Sequence, residues 1–291
     1  MTDAPRKRRW PKILAILAAL ALLAAWWVDR QLEPTRLANT VLSALGESQG
    51  LELSFTGTPD YALRPEPRLR LPNLVARRPG AAAPLLTARE VEISLPWDTL
   101  WGDGPVVVTR IALEAPALDL AALADWQASR PAGGTFELPT LTNGLHVREG
   151  RVQGLGWSLE QLSLALPELR PGEQATLDLS GEFRRDALAI VFAGPLRLEQ
   201  AGLDSPVTFE GAGRVRGEAL DALWALRFTG AMALSQTPRS LDVETLSLAG
   251  EPPLPAFEGK GALSLGELLS IRLEGLMPAW PEGWPPLPAP L

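Results

Sequence analysis

Cysteine is absent from the 291 residues, and histidine occurs once. The first absence excludes a disulfide framework and any thiolate metal site. The second excludes every mechanism that needs two imidazoles, and His146, in "GLHVREGR", reads as a strand side chain. Glycine-rich phosphate loops are also missing. "GDGPVV" and "GAGRVRG" have neither a P-loop lysine nor G-x-G-x-x-G spacing nor a following helix, so their glycines belong to turns or strands. No catalytic group, cofactor or metal site is expected, and the chain reads as a non-enzyme.

Outside the first residues, acidic side chains outnumber basic ones. Residues 1–12 hold Asp3 against Arg6, Lys7, Arg8, Arg9 and Lys12, a net +4, which leaves −11 of the chain's formal −7 on the remainder. An acidic body argues against nucleic acid as a partner. Apolar residues, at 46%, suit a folded domain and not a polytopic membrane protein.

One long hydrophobic run is present, and it follows the basic cluster directly. "ILAILAALALLAAWWV", from Ile13 to Val28, carries Leu14, Ile16, Leu17, Leu20, Leu22, Leu23, Trp26 and Trp27 and no charge. As a helix it covers about 24 Å, a little short of a roughly 30 Å hydrocarbon core, and Trp10 to Lys12 extend it. An uncleaved anchor and a cleaved signal peptide both fit such a segment. The anchor is favoured because the run continues through Leu22 and Leu23 into two tryptophans, where processing would need small residues. The basic end then stays in the cytoplasm, and residues beyond 30 lie outside it, in the periplasm of a two-membrane cell.

After the anchor, Pro34 starts a short amphipathic helix with Leu37, Val41, Leu42 and Leu45 on one face and Gly46 ending it. The pattern then switches to period two. "LELSF" (51–55), "RLRLPNL" (68–74), "AREVEISL" (88–95) and "VVVTRIAL" (106–113) read as strands, and 117–130 as a second helix. "RPAGG", 130–134, suggests a subdomain boundary. Pro116 cannot donate to a ladder and marks an edge or a bulge.

Beyond the boundary the alternation is regular. In "ATLDLSGEF", Leu177, Leu179 and Phe183 share one face, opposite Asp178 and Glu182. Val207, Phe209 and Val215 do the same opposite Glu210, as do Leu241 and Val243 opposite Asp242 and Glu244, and Ile271 and Leu273 opposite Arg272 and Glu274. Turns at "RPGEQ", "LDSP" and "SQTP" complete the signature of an antiparallel meander with one wet side. The apolar side needs a cover, either a second sheet or the same sheet curled around a hydrophobic ligand. Trp97, Trp101, Trp157 and Trp224 pack in the core or at edges, or, for the first two, stand at a groove rim.

Three segments in order resemble the N-terminal module of the AsmA-like family of inner-membrane-anchored bacterial proteins. They are Pro67 to Leu71 (P-x-L-x-L), Leu95 to Gly104 with its Trp-Gly-Asp-Gly turn, and Ile111 to Leu120 (I-x-L-x-x-P-x-L-x-L). "LHVREGRVQGLGWSLEQLSLALPELRPGEQATLDLSGEF", 145–183, is similar to that family's later unit. The resemblance implies a mainly β fold. An N-terminal transmembrane helix would lead into a long curved antiparallel sheet shaped like a groove, with one or two short helices. The organisation is then 1–31 basic tail and anchor, 32–130 AsmA-like module, 131–277 meander, and 278–291 proline-rich tail. It further implies phospholipid acyl chains held in the groove, in lipid transport or outer-membrane assembly, with the inner membrane and other envelope proteins as partners. The lining residues would be Leu162, Leu164, Leu177, Leu179, Phe183, Val207, Phe209, Val215, Leu241, Val243, Ile271 and Leu273. The alternative is a structural accessory of an envelope machine, like the N component of type II secretion.

Overall fold

The computed structural model describes residues 50–276, apart from 63, 65, 98–107, 130–139, 219, 235–238, 253, 255 and 266–268, together with 39, 42, 43, 46 and 47. The run from Ile13 to Val28, Trp101, the "RPAGG" break, the "SQTP" turn and the tail 278–291 lie outside the described residues. Among those described, no helix is long and apolar enough to cross a membrane.

The chain is mainly β, with a single large sheet and one short helix of defined extent. The order is β1 (Glu52–Ser54), β2 (Asp60–Ala62), β3 (Arg68–Arg77), β4 (Leu86–Ser94), β5 (Arg110–Glu114), β6 (Ala117–Asp119), α1 (Leu120–Ala128), β7 (Leu145–Gly154) and β8 (Trp157–Leu166). There follow β9 (Ala175–Arg185), β10 (Leu188–Leu198), β11 (Asp204–Gly217), β12 (Leu220–Ala233), β13 (Arg239–Gly250), β14 (Phe257–Leu265) and β15 (Leu269–Leu276). All fifteen strands share one sheet, ordered β1-β3-β4-β5-β7 and then consecutively to β15, while β2 pairs with β3 and β6 lies between β4 and β7.

Three expectations need correction. The residues 117–119, read as helix, form β6, because Leu118 pairs with Leu86 on one side and Val152 on the other. The helix starts one residue later, where the Asp119 carboxylate accepts from the Ala122 N–H at 2.9 Å. Pro116 is at neither an edge nor a simple bulge. It splits one interior strand position into β5 and β6, with Ala115 forced to φ 46°. Pro116 still contributes its carbonyl, which accepts from the Arg151 N–H at 2.7 Å. The sheet is also not wholly antiparallel: β7 runs parallel to β5 and β6, since the chain crosses over through α1 before rejoining them.

Smaller differences concern boundaries. Val108 and Thr109 precede β5 and are not part of it, and "LDSP" opens β11 instead of forming a turn. Gly46 remains helical, and the left-handed residue comes later at Gly50, φ 63°. Leu42, the described residue of the expected apolar stripe, is buried with Leu69, Leu71, Val91, Ile93 and Leu95 at the first end of the sheet.

A second core gathers where loops fold over the strand ends. Leu141 and Leu169 bridge each other and pack with Leu166, Ala175, Leu177, Leu198, Ala201 and Val207. Val108 touches both cores, so one continuous hydrophobic surface joins the stretches on either side of 130–134.

Candidate functional site: an apolar face without a second layer

The strand registers settle which side chains share a face, because residues directly opposite in a ladder point the same way. One row runs Leu71, Val91, Leu113, Val147, Leu164, Leu179. A second runs Leu177, Leu196, Phe209, Phe228, Leu246. A third passes through Ala175, Leu198, Val207, Gly230, Val243, Gly261 and Leu273. Phe183, Ile190, Val215 and Ala222 make a fourth, and Met232, Leu241, Leu263 and Ile271 a fifth. Leu162 belongs to the same side, its Cδ1 lying 3.4 Å from where a Gly181 side chain would begin. All twelve residues singled out from the sequence therefore stand on one face, which extends from β3 to β15.

No second sheet covers that face among the described residues. Elements that pack extensively are neighbours in the sheet, apart from α1 against β6 and β7. Yet the two sides differ in exposure. Along β12, Ala222, Trp224 and Gly230 are buried, whereas Asp221, Leu223, Ala225, Arg227 and Ala231 are exposed. A sheet with no covering layer shows such asymmetry only if it curls toward its apolar side. The curl is tight at Gly213, where a Cβ would fall inside the envelope of the Val191 carbonyl oxygen and meet Trp224 Cζ2 at 3.0 Å. Trp224 lies across Gly213 in the ladder, and Phe209 stacks on Phe228 with ring centroids 5.5 Å apart. Flat rings over glycines make a smooth floor. The indole N–H groups of Trp157 and Trp224 are buried there without a hydrogen-bond partner.

Exposure changes along the face. Val207 and Phe209 are 3% and 6% exposed, while Ile271 and Leu273 on β15 are 60% and 55% exposed. The face is thus filled by its own side chains in the middle and open to solvent toward the last strand. Two cations share its parity at opposite strand ends, Arg185 on β9 and Arg239 on β13. Burial lowers the pKa of the Arg239 guanidinium below its ordinary value.

The other face carries charged residues that pair with one another, and it is apolar over β10 and β12, at Val191, Ala193, Leu223 and Ala225. Glu92, itself buried, sits among Arg70 at 2.8 Å, Arg110 at 3.7 Å and Arg68 at 3.9 Å. The hydrogen bond and charge of Glu92 raise Arg70 above its usual value. His146 lies on this face between Ala112 and Ala165, as an ordinary strand residue. Glu182 pairs with Arg184 at 2.9 Å, and Glu210 with Arg227. Hollows of about 790 and 600 Å³ also lie here, over Ala212, Ala225 and Ala249. They are open dishes rimmed by Arg214, Arg216 and Arg227, so an apolar ligand there would lie beside hydrated guanidinium groups.

"GESQG", residues 46–50, spells the G-x-S-x-G pattern of a nucleophile elbow. That device needs a strand running into a tight turn and then a helix. Here Gly46 and Glu47 are helical and β1 follows the motif, the reverse order. Among the described residues no cluster of His, Asp or Glu could hold a metal ion. Trp157 and Trp224 are buried in the floor, and Trp97 is 39% exposed at the end of β4.

The sequence reading missed β10, β12 and β14 as contributors. Phe192, Leu196, Leu226, Phe228 and Phe257 on those strands belong to the apolar face as much as the twelve do. Glycine recurring at period two, as in Gly259 and Gly261, was the available signal. No family model, curated protein or solved structure matches the chain.

Proposed function

We propose that the chain is a non-enzymatic, membrane-anchored envelope protein that holds phospholipid acyl chains against the apolar face of its sheet, in lipid transport or outer-membrane assembly. The N-terminal run from Ile13 to Val28 would be its single inner-membrane span, with the sheet on the periplasmic side. One observation carries the reading: a continuous apolar face across twelve successive strand positions, β3 to β15, with no second sheet against it among the described residues.

The physics favours such a device. An acyl chain of about 16 carbons costs about 12 kcal/mol to expose, at ~0.8 kcal/mol per methylene, so lipids leave a bilayer slowly without an apolar track. Twelve positions spaced by about 4.8 Å give a face roughly 60 Å long. Arg185 and Arg239 at its rims suit phosphate groups, which the acidic remainder of the surface would repel.

The burial of Leu177, Val207 and Phe209 favours a second reading, a structural accessory of an envelope machine whose trough is filled by its own side chains. Native mass spectrometry of the full chain extracted in mild detergent separates the two. Co-purifying phospholipid is expected for a carrier, and a bare chain in every preparation would leave the accessory reading standing.

A further inference from the structure

A single sheet has two edges, and they differ here. One ends in β1, three residues long. The other is β15, eight residues, which pairs along its whole length with β14. Among the described residues no strand pairs with its outer side. Ile271, Leu273 and Leu276 on it are 60%, 55% and 80% exposed. A long edge with apolar side chains is a template for another strand, and proteins usually blunt such edges with charge. β15 does carry charge, but of both signs two residues apart, Arg272 and Glu274.

We propose that β15 pairs with β15 of a second copy of this chain, antiparallel, about a two-fold axis at Leu273. Residues opposite each other then have numbers summing to twice that of the axis residue. Arg272 faces Glu274 of the second copy, Glu274 faces its Arg272, Leu273 faces Leu273, and Ile271 faces Gly275, whose missing side chain leaves room. Opposite charges directly across a ladder stabilise it, and like charges oppose it. An axis at Arg272 would set Arg272 against Arg272, and one at Glu274 would set Glu274 against Glu274. An axis between residues can never set Arg272 across from Glu274, and it would turn the second copy's apolar face outward. Only the register at Leu273 satisfies both charge and face. Glu274 already reaches Lys260 on β14 at 3.6 Å, so it would lie between two cations. The two apolar faces would join into one. Eight residues a side bury less than a standard interface of roughly 1,600 Å², so the pairing is weak and reversible. The proposal does not depend on whether the face binds lipid.

The chain has no cysteine, which makes the test clean. Oxidation of full-length Leu273→Cys in mild detergent is expected to give a disulfide-linked dimer, because directly opposed antiparallel residues have Cα atoms about 4.5–5.5 Å apart, inside the roughly 4.4–6.8 Å range that a disulfide spans. Lys260→Cys, one strand further in, is expected to stay uncrosslinked. In sedimentation velocity, Arg272→Glu and Glu274→Arg should each weaken self-association roughly tenfold. An equal mixture of the two should associate again, and the double exchange in one chain should dimerise like the parent. Equal cross-linking at 273 and 260, or a mixture as monomeric as its components, would overturn the proposal. So would a parent chain that stays monomeric at every concentration, as when residues 277–291 or another protein occupies the edge.

Discussion

Gly213→Ala adds one methyl group to the middle of β11, on the apolar face. The curl of the sheet brings the Val191 carbonyl oxygen into the volume that the new Cβ needs, and Trp224 Cζ2 stands 3.0 Å away. The ring can swing by a few tenths of an ångström, but the carbonyl is backbone and paired in the β10–β11 ladder, so the strands themselves must part. Overpacking of a well-fitted site costs about 1–3 kcal/mol, and a backbone obstacle puts this case near the upper end. For a domain of this size each kcal/mol lowers Tm by about 2–4 °C, so a drop of roughly 6–12 °C is expected. Gly217→Ala is the control on the same strand: its Cβ would meet nothing nearer than Leu220 Cβ at 3.6 Å. Thermal melts followed by circular dichroism compare the two. If Gly213→Ala melts within a degree of Gly217→Ala, the sheet does not curl as tightly as described, and the concave apolar floor goes with it.

Three further outcomes follow from the packing. Phe209→Ala removes a buried ring stacked on Phe228 and should cost about 3 kcal/mol in urea unfolding, whereas Ile271→Ala, 60% exposed, should change stability by about 0.5 kcal/mol or less. Asp119→Ala deletes the N-cap of α1 and should lower stability by about 1 kcal/mol, with Asp119→Asn recovering most of it. Glu92→Gln removes the carboxylate shared by Arg68, Arg70 and Arg110 and leaves only the more distant charges of Glu90 and Asp60 beside Arg70. After allowance for the partial exposure of the three arginines, a loss of about 1–2 kcal/mol is expected, reduced at high salt because the repulsion among them is screened.

How far the chain could be read in advance depended on contrast between its two faces. β9, β11, β13 and β15 alternate apolar with charged residues, and that alternation alone put Phe183 and Val215 on one side although two ladders separate them. β10 and β12 lack contrast, since Val191, Ala193, Leu223 and Ala225 make their outer sides apolar as well. β14 loses it the opposite way, with Gly259 and Gly261 replacing apolar side chains on the inner face. The break at Pro116 was visible, but its interior position was not, because pairing on both sides depends on β7 returning parallel after α1. Tight curvature was hidden for a similar reason: it resides in glycines, whose contribution is the absence of a side chain. Opposed charges at Arg272 and Glu274 are plain in the sequence, yet they acquire meaning only once β15 is known to be the outer strand of the sheet among the described residues.

Adjacent residues on one strand offer the most direct test of the lipid proposal, since they point to opposite faces. Leu246 and Leu248 on β13 lie on the apolar side, and Ser247 and Ala249 on the other. A photoreactive phenylalanine derivative is placed at each of the four positions in turn, in cells whose phospholipids carry radiolabelled phosphate. Labelled protein is expected from 246 and 248 and not from 247 and 249. Equal labelling at all four positions, or none at any, would contradict a face that holds acyl chains.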